Sequence, residues 1–155
     1  MNDTLTNSQV TFLINKCSCI EFKLSDFAKS NKIKIESGKY GFNFTINLQI
    51  VEQTKSIEID LEARVVSLKT EKSNDEIASI KSVHSFQLQN FNDIAIKTDN
   101  GIQIPQQLMT PLLAIALSSL RGMLSVKLEG SIYENAIIPV IDVTRMMPIQ
   151  PSFLG

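Results

Sequence analysis

The sequence predicts an α+β domain in which a four-stranded antiparallel sheet, arranged as a meander, precedes one long helix and a short C-terminal helical turn. Apolar and polar residues alternate through residues 42–50 and 57–65, which is the period of strands with one packed face and one solvated face. After Pro105 the apolar residues recur at spacings of three and four, which is the period of a helix. Because the period changes once, the strands and the helix are expected in separate parts of the chain.

Length and composition predict one compact domain, since the chain has 155 residues and 43% hydrophobic content. We assign residues 10–147 to this domain, residues 1–9 to a flexible N-terminus and residues 148–155 to a short tail. The net charge is −1 and the basic residues are scattered, so the basic stripe of a nucleic-acid binder is absent. Residues 1–9 also lack the pattern of a secretory signal, which predicts a cytoplasmic protein.

The first predicted strand covers residues 10–24. In its second half Ile20, Phe22 and Leu24 share one face of the strand. The polar stretch that follows, residues 25–39, predicts a loop with turn-forming glycines near its end.

The next three strands follow from alternation and its interruptions. Residues 42–50 form the most regular strand, residues 52–56 a hairpin turn, and residues 57–65 a third strand with charged residues on one face. Residues 69–79 are charged and aperiodic, which predicts a loop, and residues 80–91 form a fourth strand.

One long helix is expected over residues 106–128, with Pro105 at its start. Residues 100–120 carry no charge, and an uncharged stretch of this length can indicate a membrane span. Glutamines and two prolines interrupt the stretch, however, and leave only residues 112–117 strongly apolar. We therefore do not expect membrane insertion. After the helix, Asp142 is expected to cap a short turn before Pro148 ends it.

Candidate catalytic and metal-binding residues are few. His84 is the single histidine and lies in a predicted apolar strand without a nucleophile motif, so a structural role is favoured over a catalytic one. Cys17 and Cys19 would share a strand face but point in parallel, which suits a bond between them poorly. A structural zinc site usually needs four ligands, so zinc would require a second subunit. No metal, cofactor or nucleotide is predicted, because phosphate-binding glycine motifs are also absent.

Acidic residues cluster in the third strand. Glu58, Asp60 and Glu62 alternate with apolar residues, which indicates a solvated face rather than a catalytic pair of carboxylates. The many phenylalanines are mostly expected in the core. Their number against a single covering helix nevertheless suggests that some apolar surface remains for another chain.

The order of these features resembles the SecB family of protein-export chaperones and its SecB-like relatives. The resemblance spans about residues 10–147, and each of its motifs is short. In chain order the motifs are Phe12-Leu13-Ile14, Ile20-Glu21-Phe22, Ile104-Pro105, Arg121-Gly122 and Pro139-Val140-Ile141-Asp142-Val143.

The resemblance implies an ATP-independent holdase that binds unfolded polypeptide. It also implies a homotetramer, built as a dimer of dimers, with helices at the interface between dimers and grooves for clients. Client-binding candidates are the apolar residues of three strands, namely Phe12, Ile14, Ile20, Phe22, Phe42, Phe44, Phe86 and Leu88. Interface candidates are the apolar residues of the helix, which is expected to bury mostly a sister helix, namely Leu112, Leu113, Ala116, Leu117, Leu120 and Met123.

Two departures from the export chaperone affect the expected partners. SecB docks the translocation motor ATPase through acidic residues, and the aligned positions here are close to Cys19, Lys23 and Gln87, none of them acidic. The motor is therefore a weakly supported partner. The chain ends at Gly155, soon after Pro151, so the C-terminal helix and tail of the export chaperone are not expected.

The sequence is compatible with three functions. The favoured one is a SecB-like chaperone, which would serve export or other clients. The second is an interaction module of the same fold that serves one dedicated partner, such as an antitoxin in a toxin-antitoxin-chaperone system. The third is a small enzyme or ligand-binding protein, which would need a closed pocket that contains His84 or the paired cysteines.

Overall fold

A computed structural model describes residues 12–29, 39–68 and 75–146 of the chain. The predicted N-terminal segment 1–9 and tail 148–155 lie outside this description. The elements are, in order, β1 (Phe12–Leu24), α1 (Asp26–Lys29), β2 (Tyr40–Val51), β3 (Ser56–Ser67), β4 (Asp75–Leu88), α2 (Phe91–Ile94), β5 (Ile96–Thr98), β6 (Gly101–Gln103), α3 (Gln106–Leu128) and a 3-10 turn (Val143–Arg145).

The four long strands form one antiparallel sheet in the order β1-β4-β3-β2. This sheet, followed by the long helix and the short turn, confirms the predicted α+β class. Strands β2, β3 and β4 are neighbours in sequence and in the sheet, whereas β1 pairs with β4 and not with β2. The sheet therefore has two edges, β1 and β2.

The two faces of the sheet differ in chemistry. Directly paired residues of antiparallel strands place their side chains on the same face. The row Ile50, Ile57 and Phe86 is apolar, and the row Asn47, Asp60 and Val83 is mostly polar. The alternation predicted for residues 57–65 is confirmed, because every second residue there, from Ile57 to Val65, is buried.

Helix α3 covers the apolar face. Its bounds, Gln106–Leu128, confirm the prediction, and it packs on β1, β3 and β4. Pro111 lies within the helix but on its exposed side. The apolar side that packs inward consists of Met109, Leu112, Leu113, Ala116, Leu117, Leu120, Leu124 and Leu128. This corrects the expectation of a sister helix, because the chain's own sheet already covers these side chains.

Three features depart from the predicted elements. Strand β4 begins at Asp75, inside the stretch predicted as a loop, and it ends at Leu88. Strand β1 carries two bulges, at Asn15 and Ile20, and the second one breaks the shared face expected for Ile20 and Phe22. The short elements α1, α2 and the β5-β6 hairpin were not predicted. The start of β4 and the bulges of β1 depend on pairing between distant strands, which local alternation in the sequence does not reveal.

The segment after α3 returns along the helix to the edge of the sheet at β2. Ala136 and Ile138 are buried against the core, and Asp142 caps the 3-10 turn by accepting a hydrogen bond from the Thr144 main-chain N–H at 3.1 Å. The turn predicted from Asp142 onward is thus present over Val143–Arg145. Met146, the last described residue, packs against the core from this edge.

Candidate functional site

Strand β2 has an apolar face that its own chain covers only in part. Helix α3 packs mainly on the other three strands. The side chains of this face alternate with polar ones, and all of them are half-buried, whereas the paired residues of β3 are buried. They are Phe42, Phe44, Ile46, Leu48 and Ile50. A row of apolar side chains therefore stays accessible along the edge of the sheet.

A groove of about 460 Å³ lies at one end of this row. It is lined by Phe42, Asn43, Phe44, Ile46 and Met146, and none of these side chains is charged. The rings of Phe42 and Phe44 stack with their centroids 6.5 Å apart. The unbranched Met146 side chain can adapt its shape to what it contacts. The groove suits an apolar ligand, since burial of a charge here would find no ionic partner in the lining.

The client-binding candidates of the sequence fall into four environments, and the first three are accessible. Phe42 and Phe44 line the groove. On β1, Ile14 and Ile20 are exposed, at 54% and 59%, and lie at the opposite edge of the sheet. Phe12 and Phe22 on β1 are half-buried, and the ring of Phe12 packs edge to face on Phe86 with the centroids 6.0 Å apart.

Two of these candidates are inaccessible. Phe86 and Leu88 are fully buried in the hydrophobic core of the chain. Their inclusion among the groove residues is corrected, because side chains in the core cannot contact a client without partial unfolding of the chain. Both lie on the central strand β4, which the sequence alone could not place between β1 and β3.

The outer side of α3 is uncharged along much of its length. A second concavity, of about 470 Å³, is lined by Ala114, Ile115, Ser118 and Ser119. Among the helix residues predicted to form an oligomer interface, Met123 is half-buried and the others are covered by the sheet. Apart from Met123, the accessible surface of the helix thus consists of other residues than the predicted ones.

His84 is buried on the helix side of β4. One ring nitrogen, Nε2, lies 2.9 Å from the Ser82 hydroxyl, and the other, Nδ1, has no hydrogen-bond partner. Burial lowers the pKa of His84, and the Asp60 carboxylate raises it to a lesser extent. The imidazole is therefore held neutral in the core. It lines neither of the two concavities.

The two cysteines lie on β1, next to His84 of the neighbouring strand β4. Cys17 pairs with His84 across the sheet and is exposed, whereas Cys19 pairs with Ser82 and is half-buried. Both thiols are free. Among the residues that the structure describes, no three His, Cys, Asp or Glu side chains are placed to hold a metal ion.

The opposite face of the sheet carries ion pairs. Glu21 contacts Lys81 at 3.2 Å and Lys23 at 3.3 Å, and hydrogen bonds from these two lysines lower the pKa of the Glu21 carboxyl. Glu62 accepts a hydrogen bond from Arg64 at 3.0 Å. These carboxylates are paired with cations, which fits a solvated face.

The three positions compared above with the motor-docking acids, Cys19, Lys23 and Gln87, do not form one cluster. Cys19 lies on the helix side, and Lys23 binds Glu21 on the polar side. Gln87 accepts a long hydrogen bond of 3.5 Å from Asn15 at the first bulge.

Within the described ranges, α3 alone is long and apolar enough to cross a membrane, with a mean hydropathy of 1.4. Its inward side packs on the sheet, as described above. No protein-family model and no curated protein matches the sequence.

Proposed function

We propose that the chain is an ATP-independent holdase of the SecB-like type, which binds unfolded or slow-folding polypeptides in the cytoplasm. The observation that carries the proposal is the half-covered apolar row of β2 with the uncharged groove at Phe42 and Phe44. Exposed apolar surface of this kind commonly marks an interaction site. Unfolded chains expose apolar side chains and uncompensated main-chain groups, which this surface can accept.

The lining favours binding over chemistry. Neither concavity contains a histidine, a cysteine or a carboxylate, so the described lining offers no general base that could activate the Ser118 or Ser119 hydroxyl. The polar residue of the groove, Asn43, can donate and accept hydrogen bonds with any main chain. Such a surface would select clients by their exposed apolar segments rather than by a sequence code.

Self-association is part of the proposal, and we assign it to the outer side of α3. Ser118, Gly122 and Val126 are exposed there, and small side chains let two helices approach closely. This assignment replaces the inward residues predicted from the sequence. Light scattering after size exclusion tests it: a tetramer is expected, and Ser118→Arg should reduce its mass, whereas Lys127→Arg should not.

A refolding assay tests the holdase function. The chain should delay the spontaneous refolding of a slow-folding, chemically denatured protein without nucleotide, in proportion to its concentration. Clients of unrelated sequence should all respond. A delay for none of them would contradict the proposal, and capture of one partner alone from native extract would favour a dedicated interaction module instead.

A further inference from the structure

Within the part of the chain that the structure describes, strand β2 is an edge that lacks the usual protection against strand addition. Its twelve residues include no charged residue and no proline. Its pairing with β3 runs without a bulge from Tyr40 opposite Ser67 to Val51 opposite Ser56. Natural sheets normally guard such edges with charges, prolines, bulges or a covering element, because the free main-chain groups can pair with another strand.

The other edge of the same sheet is protected. Strand β1 bulges at Asn15 and Ile20, and it carries the charged residues Lys16, Glu21 and Lys23. Bulges twist a strand and interrupt its row of main-chain groups. The contrast within one sheet indicates that the openness of β2 is specific to that edge.

The groove lies beside the edge of β2. Asn43 lines the groove between Phe42 and Phe44, although its side chain belongs to the polar face, as its pairing with Arg64 shows. A strand placed at this edge would direct every second side chain toward Phe42, Phe44 and Ile46.

We propose that the free edge of β2 binds an extended, uncharged segment of a client by adding it to the sheet as a further strand. The inference rests on the proposed function and specifies how the client is held. Main-chain hydrogen bonds would supply sequence-independent affinity, and the groove would favour aliphatic or aromatic side chains at alternate positions. A charged residue at those positions would be disfavoured, because the groove lining offers it no ionic partner.

A single extended chain fits this edge better than a second copy of the protein. Met146 and the segment leading to it occupy the apolar side of β2 beside the edge. If a second copy paired through its own β2, its Met146 segment would lie on the same side of the joined sheet, beside the same junction between the two strands. The two segments would then compete for the space there. A lone client strand carries no such layer.

Binding of N-methylated peptides tests strand addition. The probe is a fluorescent peptide of alternating isoleucine and threonine with a lysine at each end. One version is N-methylated on the isoleucines and the other on the threonines. Because the N–H groups of alternate residues point to opposite edges of a strand, each version lacks the hydrogen-bond donors of one edge only. Strand addition predicts that one version binds roughly a hundredfold more weakly than the other, because several hydrogen bonds are lost on one edge alone.

Equal affinities for the two methylated versions would overturn strand addition. If the chain still delays refolding in that case, the holdase proposal stands and the client is held by side chains. Failure to bind the unmethylated peptide would also overturn the inference. A peptide that binds only after deletion of residues 147–155 would assign the edge to the chain's own C-terminal segment, and client binding at this edge would again be wrong.

Crosslinking locates the added strand. In a background with Cys17→Ser and Cys19→Ser, the variants Asn43→Cys and Leu13→Cys place one exposed thiol at each edge. A peptide with an activated terminal disulfide should label Asn43→Cys at least about tenfold faster, since bound peptide raises the local concentration. Equal labelling of both variants overturns the proposal, and so do disulfide-linked chain dimers through Asn43→Cys in place of peptide adducts.

Discussion

Arg121 on α3 donates from Nε to the main-chain carbonyl oxygen of Ile138 at 2.7 Å, and from Nη2 to that of Pro139 at 2.9 Å. One guanidinium thus fixes the returning segment against the helix. This segment carries Met146, which lines the groove, so the contact links the helix to the shape of the site. Arg121 of the Arg-Gly step therefore has a structural function in the described part of the chain.

Replacement of Arg121 should loosen the returning segment. Arg121→Met keeps the aliphatic stem but removes both hydrogen bonds from a charged donor, and we expect a loss of about 1–3 kcal/mol in the free energy of unfolding. Urea denaturation measures this loss, and hydrogen exchange should show faster opening after residue 136. Arg145→Met, which removes an exposed charge, is the control and should change little.

The stability of the chain should fall below the ordinary pKa of His84. Burial lowers the pKa of this imidazole from 6.5, so in mildly acidic solution His84 binds a proton in the unfolded chain but stays neutral in the folded chain. The free energy of unfolding should therefore decrease as the pH falls from about 6.5. Urea denaturation at a series of pH values measures this slope.

His84→Gln should flatten the slope just below this pH, because the amide does not titrate. Glu21 acts in a lower range: its pKa is lowered from 4.5 by Lys81 and Lys23, so its stabilising effect is present above that value and is lost on further acidification. Glu21→Gln is the matched control and should leave the upper slope intact. An unchanged slope in His84→Gln would contradict the assignment.

Two glycines should respond in opposite directions to alanine. A Cβ atom at Gly41 would lie 2.9 Å from the Val66 Cγ2 and 3.1 Å from the Leu68 Cδ2, so Gly41→Ala should destabilise the chain by about 1–3 kcal/mol. A Cβ at Gly122 meets nothing within 4 Å of its own chain, so in a Ser118→Arg background, which removes the proposed self-association, Gly122→Ala should stabilise α3 by about 1 kcal/mol. Thermal unfolding of both variants measures the difference, and a stabilised Gly41→Ala would contradict the packing described at β2.

Substitution of Phe44 should reduce client binding more than it reduces stability. Its ring lines the groove and is only half-buried, so Phe44→Ser should weaken the binding of an apolar peptide about tenfold. Fluorescence anisotropy measures the affinity, and circular dichroism checks the fold. Leu13→Ser removes an exposed apolar side chain from the opposite edge, and an equal loss of binding in this control would move the site away from β2.

The spacing of apolar residues along the sequence predicted the long helix and the strands β2 and β3 well. The bounds of α3 follow from a helical stripe bounded by Pro105 and by the turn at Gly130. Strands β2 and β3 follow from strict alternation. In contrast, the place of β1 beside β4 depends on pairing between distant residues, such as Phe12 with Leu88, and no local pattern reports such a pairing.

The candidate site could be predicted in part. Alternation identified Phe42 and Phe44 as apolar and on one face, but it assigned the same status to Phe86 and Leu88, which the central position of β4 buries. Met146 was missed, because its place in the groove results from the path of the returning segment. The Arg121-Gly122 step was noticed as a motif, although its hydrogen bonds to Ile138 and Pro139 could not be inferred from spacing.

The pairing of β1 with β4 has a consequence for synthesis on the ribosome. Strand β1 emerges first, yet its partner follows only after β2 and β3, so the first strand is the last to find its place in the sheet. Until β4 is complete, strand β1 is unpaired and the apolar face of β2 is uncovered, so both can contact neighbouring nascent chains. A pause or truncation before Leu88 should therefore leave this chain itself dependent on a chaperone.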